Sequence, residues 1–190
     1  MQEIINGLLR RHIDVIEQVV LPMTPQVEAV TEALCVALKQ GNKVLVMGNG
    51  GSAADSQHFA AELVGRFLKN RAALPAIALT TDTSILTALA NDFGFDIVFR
   101  RQIEALAQPG DVVVGISTSG NSPNVLQGLQ CAREKGCVTV ALTGHDGGKM
   151  ADGADLLLNV AVEETPRIQE AHLTLIHILC DLVERELFGN

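Results

Sequence analysis

Two separated segments of the 190-residue sequence combine side chains that can bind a metal ion and transfer protons. The first holds His58 and Glu62, which a helix would place on one face because they are four residues apart. An imidazole and a carboxylate at this spacing can ligate one ion, although a surface His–Glu contact explains the same pair. The second holds Gln169 and His177 in an apolar run, where a core histidine bonded to a backbone carbonyl is the alternative. His172 faces another side and is predicted to be structural.

The elements that must position these side chains alternate between apolar strands and helices. Strands are predicted at 44–47, 75–79, 112–116, 138–142 and 156–162. Helices are predicted at 53–67, 83–90, 97–107, 122–136 and 165–187. This alternation is typical of a parallel sheet covered on both faces. We therefore predict one α/β domain over residues 1–190, a three-layer α/β/α sandwich with a central five-stranded parallel sheet.

Two more helices are predicted before the first strand, within about residues 1–40. Apolar residues recur with helical spacing over residues 1–20 and form a broad face. Thr24 and Pro25 supply a capping hydroxyl and a first-turn proline for the second helix, which Gly41 ends. The first helix can bury its face against its own domain or a partner subunit, and we favour the subunit contact.

Loops after the strands are candidate ligand sites, because ligands collect beyond the carboxyl ends of parallel strands. Residues 48–52, Gly-Asn-Gly-Gly-Ser, follow the first strand. Their glycines let backbone amides approach a ligand, and Ser52 could cap the next helix. The segment is neither a Walker loop nor a dinucleotide fingerprint. An ordinary strand-to-helix turn is therefore the alternative interpretation.

The loop after the third strand has a stronger signal. Residues 117–122, Ser-Thr-Ser-Gly-Asn-Ser, place four hydroxyls at a predicted helix N-terminus, where a phosphate group is favoured. A helix cap needs only one hydroxyl. By contrast, residues 143–148 are predicted to be a flexible solvated loop. Asn91 and Asp92 suit either a turn or a ligand contact.

Composition excludes several classes of protein. The net charge of −8 and the absence of Trp and Tyr argue against a nucleic-acid binder. No signal peptide or long apolar run is visible, so a cytoplasmic protein without membrane spans is predicted. The four cysteines form no close pair and are interpreted as small buried apolar residues in a reducing compartment.

Five segments together resemble the sugar isomerase (SIS) domain family, and most closely its phosphoheptose isomerases. They are GNGGSAADSQHFAAEL, ALANDFGF, GDVVVGISTSGNSPNV, ALTGHDGGKMA and RIQEAHLTLIH. The resemblance implies a flavodoxin-like fold and a homotetramer with sites at subunit interfaces. It also implies one zinc ion per subunit, held by His58, Glu62, Gln169 and His177.

The resemblance also implies an activity and its residues. It implies isomerisation of sedoheptulose 7-phosphate to D-glycero-D-manno-heptose 7-phosphate, the first step of bacterial heptose synthesis for lipopolysaccharide core or related glycans. Glu62 and His177 match the family's acid/base pair. The positions that match substrate contacts are Asn49, Gly50, Gly51, Ser52, Glu62, Asn91, Asp92, Ser117, Thr118, Ser119, Ser122 and Gln169.

Two other functions are compatible with the same resemblance. One branch of the family is a non-catalytic, tetrameric replication-initiator-associating protein, and Leu187-Phe188 resembles a feature of that branch. These two residues are otherwise an apolar helix end packed on a neighbour. Glu62 and the intact serine-rich segment favour the enzyme. A sugar-phosphate sensor is the third candidate, and the lack of a DNA-binding segment disfavours it.

Overall fold

A sheet of five parallel strands forms the centre of the computed structural model, which describes residues 1–189. The strands are β1 (Val44–Gly48), β2 (Ala76–Ala78), β3 (Val112–Ser117), β4 (Val138–Gly144) and β5 (Leu156–Val160). Their order is β2-β1-β3-β4-β5. The loops that follow β1, β3 and β4 therefore lie side by side at the carboxyl ends of the strands. Asn190, the last residue of the predicted domain, lies outside the described residues.

Eight α-helices surround the sheet in the described part of the chain. They are α1 (Gln2–Val15), α2 (Thr24–Lys39), α3 (Gly51–Val64), α4 (Thr83–Phe93), α5 (Val98–Leu106), α6 (Pro123–Glu134), α7 (Gly148–Gly153) and α8 (Thr165–Phe188). A π-helical turn, Ile16–Val20, and a 3₁₀ turn, Leu21–Met23, connect α1 to α2. Another 3₁₀ turn, Phe95–Ile97, precedes α5.

The two faces of the sheet carry separate apolar cores. Val44 and Val46 of β1 pack with residues of α2, α3 and α8 on one face. Leu45 and Met47 point the other way and pack with residues of α5, α6 and α7. This alternation follows from the two-residue repeat of a strand. The predicted three-layer α/β/α sandwich with a five-stranded parallel sheet is confirmed.

Thr24, Ser52 and Ser122 lie at or near helix starts, but none of them makes a side-chain capping hydrogen bond. Thr24 lies inside α2, and its hydroxyl donates to the Leu21 carbonyl at 2.8 Å. Ser52 lies in the first turn of α3, which Gly50 precedes as the capping residue with φ 56°. Ser122 precedes α6, but its hydroxyl bonds to the Ser117 hydroxyl rather than to a backbone N–H. The Thr24 and Ser122 hydroxyls therefore bond to other oxygen atoms, and a glycine occupies the capping position of α3.

Residues 143–148 were predicted to be a loop, and the structure limits that loop to residues 145–147. Strand β4 extends to Gly144, and α7 follows from Gly148. Lys149 N donates to Asn121 Oδ1 at 3.1 Å, and Met150 N donates to the Gly120 carbonyl at 3.0 Å. These bonds tie α7 to the loop after β3, so this region is an ordered support for that loop.

The first helix presents much of its apolar face to solvent within this chain. Its exposed residues are between 49% and 68% exposed and are Ile4, Ile5, Leu8, Leu9 and Ile13. Polar contacts hold the helix to the start of α8: Arg11 Nε lies 2.7 Å from Glu164 Oε1, and His12 Nδ1 lies 2.8 Å from Glu170 Oε2. An uncovered apolar face is what a subunit contact needs, and that contact stays a prediction.

Two further expectations concern membrane spans and thiols. No helix within residues 1–189 has the length and apolar character needed to cross a membrane. All four cysteines, Cys35, Cys131, Cys137 and Cys180, are free and buried, as predicted. Burial and, to a smaller extent, the nearby Glu62 carboxylate raise the pKa of the Cys180 thiol to about 12. This thiol is therefore neutral at physiological pH.

Candidate functional site

The structure brings His58, Glu62 and His177 together, and we call these three residues the histidine cluster. The Nε2 atoms of His58 and His177 are 2.8 Å apart. Glu62 Oε1 lies 3.5 Å from His58 Nε2. The His58 side chain is 39% exposed and that of Glu62 is 23% exposed, so a ligand can reach the cluster. Residues 119 positions apart in sequence thus meet as the metal-site hypothesis required.

Helices α3 and α8 make this meeting possible because both lie on the same face of the sheet and contact each other. Both begin after a strand of the same parallel sheet. Gly51 faces Gln169 near the start of both helices, and His58 faces His177 about two turns further along each. His177 therefore lies on the side of α8 that faces α3.

The alternative of a core histidine bonded to a carbonyl applies to His172 instead. His172 is fully buried, and its Nε2 lies 2.8 Å from the Thr143 carbonyl oxygen. Burial lowers the pKa of its imidazole to about 4, although the bond to Thr143 acts in the opposite direction. The neutral ring connects α8 to the end of β4. The prediction that His172 is structural is consistent with these contacts.

The histidine cluster fits a divalent metal ion by donor type. Two imidazole nitrogens and a carboxylate oxygen are common zinc ligands. The two nitrogens are closer than an ion would hold them, because nitrogens on one tetrahedral zinc ion stand about 3.3 Å apart. In keeping with this, no three His, Cys, Asp or Glu side chains of residues 1–189 already form a metal-binding arrangement. Zinc binding would require the two Nε2 atoms to move about 0.5 Å further apart.

Asp55, which the sequence interpretation missed, adds an unsatisfied acceptor near the cluster. It lies one turn before His58 on α3. Its Oδ2 atom is buried and has no hydrogen-bond partner among residues 1–189. Burial raises the pKa of this carboxyl, while His58 lowers it. A carboxylate three residues before the predicted ligand was the available signal, because that spacing places both on one helix face.

Gln169, the fourth predicted ligand, lies against the loop after β1. A Cβ atom built at Gly51 would stand 2.4 Å from Gln169 Nε2, so a side chain at this position would displace the amide. Gln169 lies about 12 Å from His177 along the axis of α8. Both side chains would have to lean along the helix to reach one ion. A metal role for Gln169 stays a prediction.

The loops after β1 and β3 are joined by a pair of amides. Asn49 Nδ2 donates to Asn124 Oδ1, and Asn124 Nδ2 donates to Asn49 Oδ1, both at 2.9 Å. Asn124 is 2% exposed. The predicted substrate residue Asn49 is therefore positioned by Asn124, a residue that the sequence interpretation missed. Its place directly after the Ser122-Pro123 helix start was the only signal.

Residues 117–122, which we call the serine turn, group their hydroxyls at the start of α6. Ser117 Oγ lies 2.8 Å from Ser122 Oγ and 3.4 Å from Ser119 Oγ. Ser117 is 4% exposed, whereas Ser119 is exposed and Thr118 is intermediate. Gly120 has φ 62°, and a Cβ there would stand 2.0 Å from the Gly147 carbonyl oxygen. The loop after β4 thus fixes the shape of the turn.

Within residues 1–189, no side-chain hydrogen bond joins Asn91 or Asp92 to the other candidate site residues. Both are exposed near the end of α4, and Asn91 Nδ2 donates to Asp92 Oδ1 at 2.8 Å. Helix α4 has no buried residue and packs against the following 3₁₀ turn and α5. A substrate role for this pair stays a prediction.

Comparison with known proteins supports the resemblance. The SIS domain family model matches residues 9–144. A phosphoheptose isomerase of Geobacter metallireducens is 61% identical over 188 residues, which cover 99% of this chain and 100% of that protein. The chain belongs to the phosphoheptose isomerases of the SIS-domain family. A phosphoheptose isomerase structure from Neisseria gonorrhoeae has 46% identity and a TM-score of 0.91, covering 96% of this chain and 98% of that one.

A more distant solved member of the family retains the fold. A phosphoheptose isomerase structure from Francisella tularensis has 34% identity and a TM-score of 0.93, covering 97% of this chain and 98% of that one. The SIS domain match ends before α8, which carries Gln169 and His177. The full-length relatives extend over α8 as well, so they match the part of the chain that completes the histidine cluster.

Proposed function

We propose that the chain is an aldose–ketose isomerase that converts sedoheptulose 7-phosphate to D-glycero-D-manno-heptose 7-phosphate. The observation that carries the proposal is the meeting of His58, Glu62 and His177 at 2.8 Å and 3.5 Å. This places a carboxylate and two imidazoles within reach of one reacting group. The names of relatives with 61% identity over their whole length support the same activity.

Glu62 and His177 divide the proton transfers of the proposed reaction. The Glu62 carboxylate takes a proton from C1 of the ketose and returns it to C2, so the carbon skeleton passes through an enediol. The His177 imidazole gives a proton to the C2 oxygen and takes one from the C1 hydroxyl. One proton moves between carbons and one between oxygens, and the product is an isomer of the substrate.

A zinc ion is part of the proposal, with one ion per subunit. His58, Glu62, Gln169 and His177 would hold it. When bound, zinc supplies Lewis-acid polarisation of the sugar carbonyl and stabilises negative charge on oxygen. The donor types and the 2.8 Å approach of the two imidazoles support this role.

The serine turn is proposed to bind the phosphate at the other end of the sugar. Its hydroxyls and the N-terminus of α6 favour an anion without a lysine. Asn49, Gly50, Gly51 and Ser52 line the neighbouring loop, which the Asn49–Asn124 amide pair holds beside the turn. Binding energy at the phosphate then fixes C1 and C2 at the histidine cluster. The linear substrate can span the roughly two helical turns between the starts of the helices and the cluster.

Homotetramer formation is proposed together with this activity. The exposed apolar residues of α1 form a surface that subunit contacts can cover. Asn91 and Asp92, exposed on α4, are then available to a site at a subunit interface. Light scattering of the purified protein tests the mass of the assembly. A cytoplasmic location is proposed from the four free, buried thiols.

The replication-initiator-associating function is not favoured. The curated relatives with the names given above are isomerases, and Glu62 is in contact with His58. The end of α8 has a role within the chain, because the Phe188 ring lies 5.7 Å from the Arg71 guanidinium and Leu187 packs against the apolar core. Leu187-Phe188 therefore needs no outside partner to explain it.

Turnover of sedoheptulose 7-phosphate before and after metal removal tests the proposal. The protein is incubated with the ketose phosphate, and formation of the aldose phosphate is followed by chromatography or NMR. We expect turnover that a strong chelator abolishes and zinc restores, with one zinc ion per subunit by metal analysis. Absence of turnover by the zinc-loaded protein contradicts the proposed activity. Full turnover by metal-free protein contradicts the zinc role alone. Entry of the product into heptose synthesis for lipopolysaccharide core is the proposed biological role.

A further inference from the structure

A buried carboxylate lies beyond His177 on the face of α8 that meets α3. Glu184 is seven residues, or about two turns, after His177. Its side chain is 1% exposed. Three consecutive backbone N–H groups of the loop after α3 donate to it at 2.8 to 2.9 Å, from Phe67, Leu68 and Lys69.

Arg71 supplies the fourth bond to this carboxylate. Its Nε donates to Glu184 Oε1 at 2.8 Å, and its side chain is only 2% exposed. Burial on its own would raise the pKa of the Glu184 carboxyl, but the three backbone donors and Arg71 outweigh burial and hold the pKa at about 2. Glu184 therefore stays charged at any pH at which the protein works.

The remaining donors of Arg71 reach the end of α3. Nη2 donates to the Glu62 carbonyl at 2.8 Å, and Nη1 donates to the Leu63 carbonyl at 2.8 Å. The last carbonyls of a helix lack partners inside the helix, so their orientation depends on such outside donors. One of the two carbonyls belongs to Glu62 itself.

The same loop also touches the other half of the histidine cluster. The Phe67 ring packs against the His177 ring with a centroid distance of 5.5 Å. Phe67 is also the residue whose N–H binds Glu184. The ion pair thus contacts the backbone of Glu62 on α3 and, through Phe67, the imidazole of His177 on α8.

We propose that Arg71 and Glu184 are positioning residues that set the separation between the ligands on α3 and His177 on α8. This inference rests on the proposed zinc-dependent isomerase and assigns the device that holds its site together. Neither residue reaches the reacting atoms, so the effect acts through the backbone of Glu62 and the ring of Phe67. Ligand geometry has to be held within about 0.5 Å, so a larger shift of the last turn of α3 would weaken zinc binding.

Asp111 offers a matched control at the other end of the sheet, because it is also a buried carboxylate that binds backbone N–H groups and one cationic side chain. It is 1% exposed and accepts from the backbone N–H groups of Lys43 and Gln108, at 3.0 and 2.8 Å. Lys43 Nζ completes the ion pair at 2.7 Å. A carboxylate-to-amide change at Asp111 destabilises the fold without touching either helix of the histidine cluster.

The experiment compares Glu184→Gln with Asp111→Asn in the full-length protein. Zinc affinity is measured by competition with a chromophoric chelator, and kcat and KM are measured for the zinc-saturated enzyme. We expect Glu184→Gln to lower zinc affinity by about 10- to 100-fold, as loss of supporting bonds around a metal site does. We expect kcat to fall with it while KM changes little, because the serine turn is untouched. Asp111→Asn should leave zinc affinity and kcat at wild-type values.

Arg71→Lys covers the case in which Glu184→Gln does not fold. The lysine keeps a charge beside Glu184 but cannot reach the Glu62 and Leu63 carbonyls at once, so zinc affinity should still fall. Zinc affinity and kcat equal to those of Asp111→Asn in every folded variant overturn the proposal. If wild-type protein has no turnover and no zinc affinity, the proposed function fails. The proposal is then decided by crystal structures of the wild type and Arg71→Lys: equal separations of the His58 and His177 Nε2 atoms overturn it, and different separations support it.

Discussion

The histidine cluster and the Asp111 ion pair each contain a carboxylate, but the two carboxylates differ in burial and in hydrogen bonding. Asp111 is 1% exposed and receives donors from Lys43 and Gln108. Burial would raise the pKa of its carboxyl, but these bonds outweigh burial and lower the pKa. The Glu62 carboxylate is 23% exposed, and its contact with His58 is 3.5 Å long. That distance exceeds a normal hydrogen bond.

The difference separates a carboxylate that stabilises the fold from one that is available for chemistry. A buried carboxylate that already accepts several hydrogen bonds cannot also bind a substrate or a metal ion. Its removal lowers the free energy of unfolding. A partly exposed carboxylate beside two imidazoles retains free oxygen lone pairs. Replacing the carboxylate by an amide should therefore lower turnover at Glu62 and lower the free energy of unfolding at Asp111.

The largest effect is expected for Glu62→Gln. The amide cannot accept a proton from carbon, so we expect turnover to fall by about 1,000-fold. The melting temperature should stay close to that of the wild type, because the Glu62 side chain is partly exposed and has no tight hydrogen bond to lose. Steady-state kinetics and thermal unfolding measure the two properties. Turnover within threefold of the wild type would remove Glu62 from the role of base, and retained zinc would separate that role from metal binding.

The converse result is expected for Asp111→Asn. Loss of the charge leaves Lys43 without its partner and two backbone donors with a poorer acceptor, which costs about 3 kcal/mol of unfolding free energy. Urea unfolding measures this change, and kcat/KM per folded molecule should be unchanged. A matching loss of kcat/KM would mean that the two regions are not independent.

A pH-dependent loss of stability is expected from His172. Its pKa is about 4 in the folded protein against 6.5 for the free side chain, so the unfolded chain binds more protons between these values. Unfolding free energy should therefore fall as the pH drops from about 6.5 to about 4, by about 3 kcal/mol from this group. His172→Gln should remove that part of the slope in urea unfolding at a series of pH values. His145→Gln, at a half-exposed ring, is the control, and an equal change in slope for both variants would contradict the assignment.

The smallest effect is expected for Ser119→Ala in the serine turn. Removing one hydroxyl from a proposed phosphate seat should raise KM by about 10-fold, the loss of one hydrogen bond to a charged group. The kcat should change by less than threefold, because the histidine cluster is unchanged. Ser84→Ala on α4 removes an exposed serine elsewhere and serves as the control. A loss in kcat rather than KM would place Ser119 nearer the reacting carbons than the proposal does.

The layers of the fold were predictable from sequence because apolar repeats report burial directly. The continuous apolar run from Val44 to Met47 predicted a buried strand, and the structure buries it on both faces. The helix caps were not predictable, because a hydroxyl such as that of Ser122 has several acceptors and only the folded chain decides among them. Helix α7 was missed because it has six residues, too few to show a helical repeat.

The candidate site was predictable only where spacing within one helix carried the signal. His58 and Glu62 lie on one helical face, and that pattern is visible in the sequence. The contact of His58 with His177 spans 119 residues, and resemblance to a family supplied it rather than any local pattern. Arg71 and Glu184 were missed because an arginine in a loop and a glutamate in a helix are ordinary surface residues until the fold buries them.

The position of α8 in the chain has a consequence for the order of assembly during synthesis. The sheet strands and the serine turn precede residue 165, whereas His177 and Glu184 belong to the last helix. A nascent chain that has released only its first 164 residues from the ribosome carries all five strands but only half of the proposed ligand set. The proposed catalytic site can therefore form only once the final helix is present, after most of the backbone has taken its place in the layers of the fold.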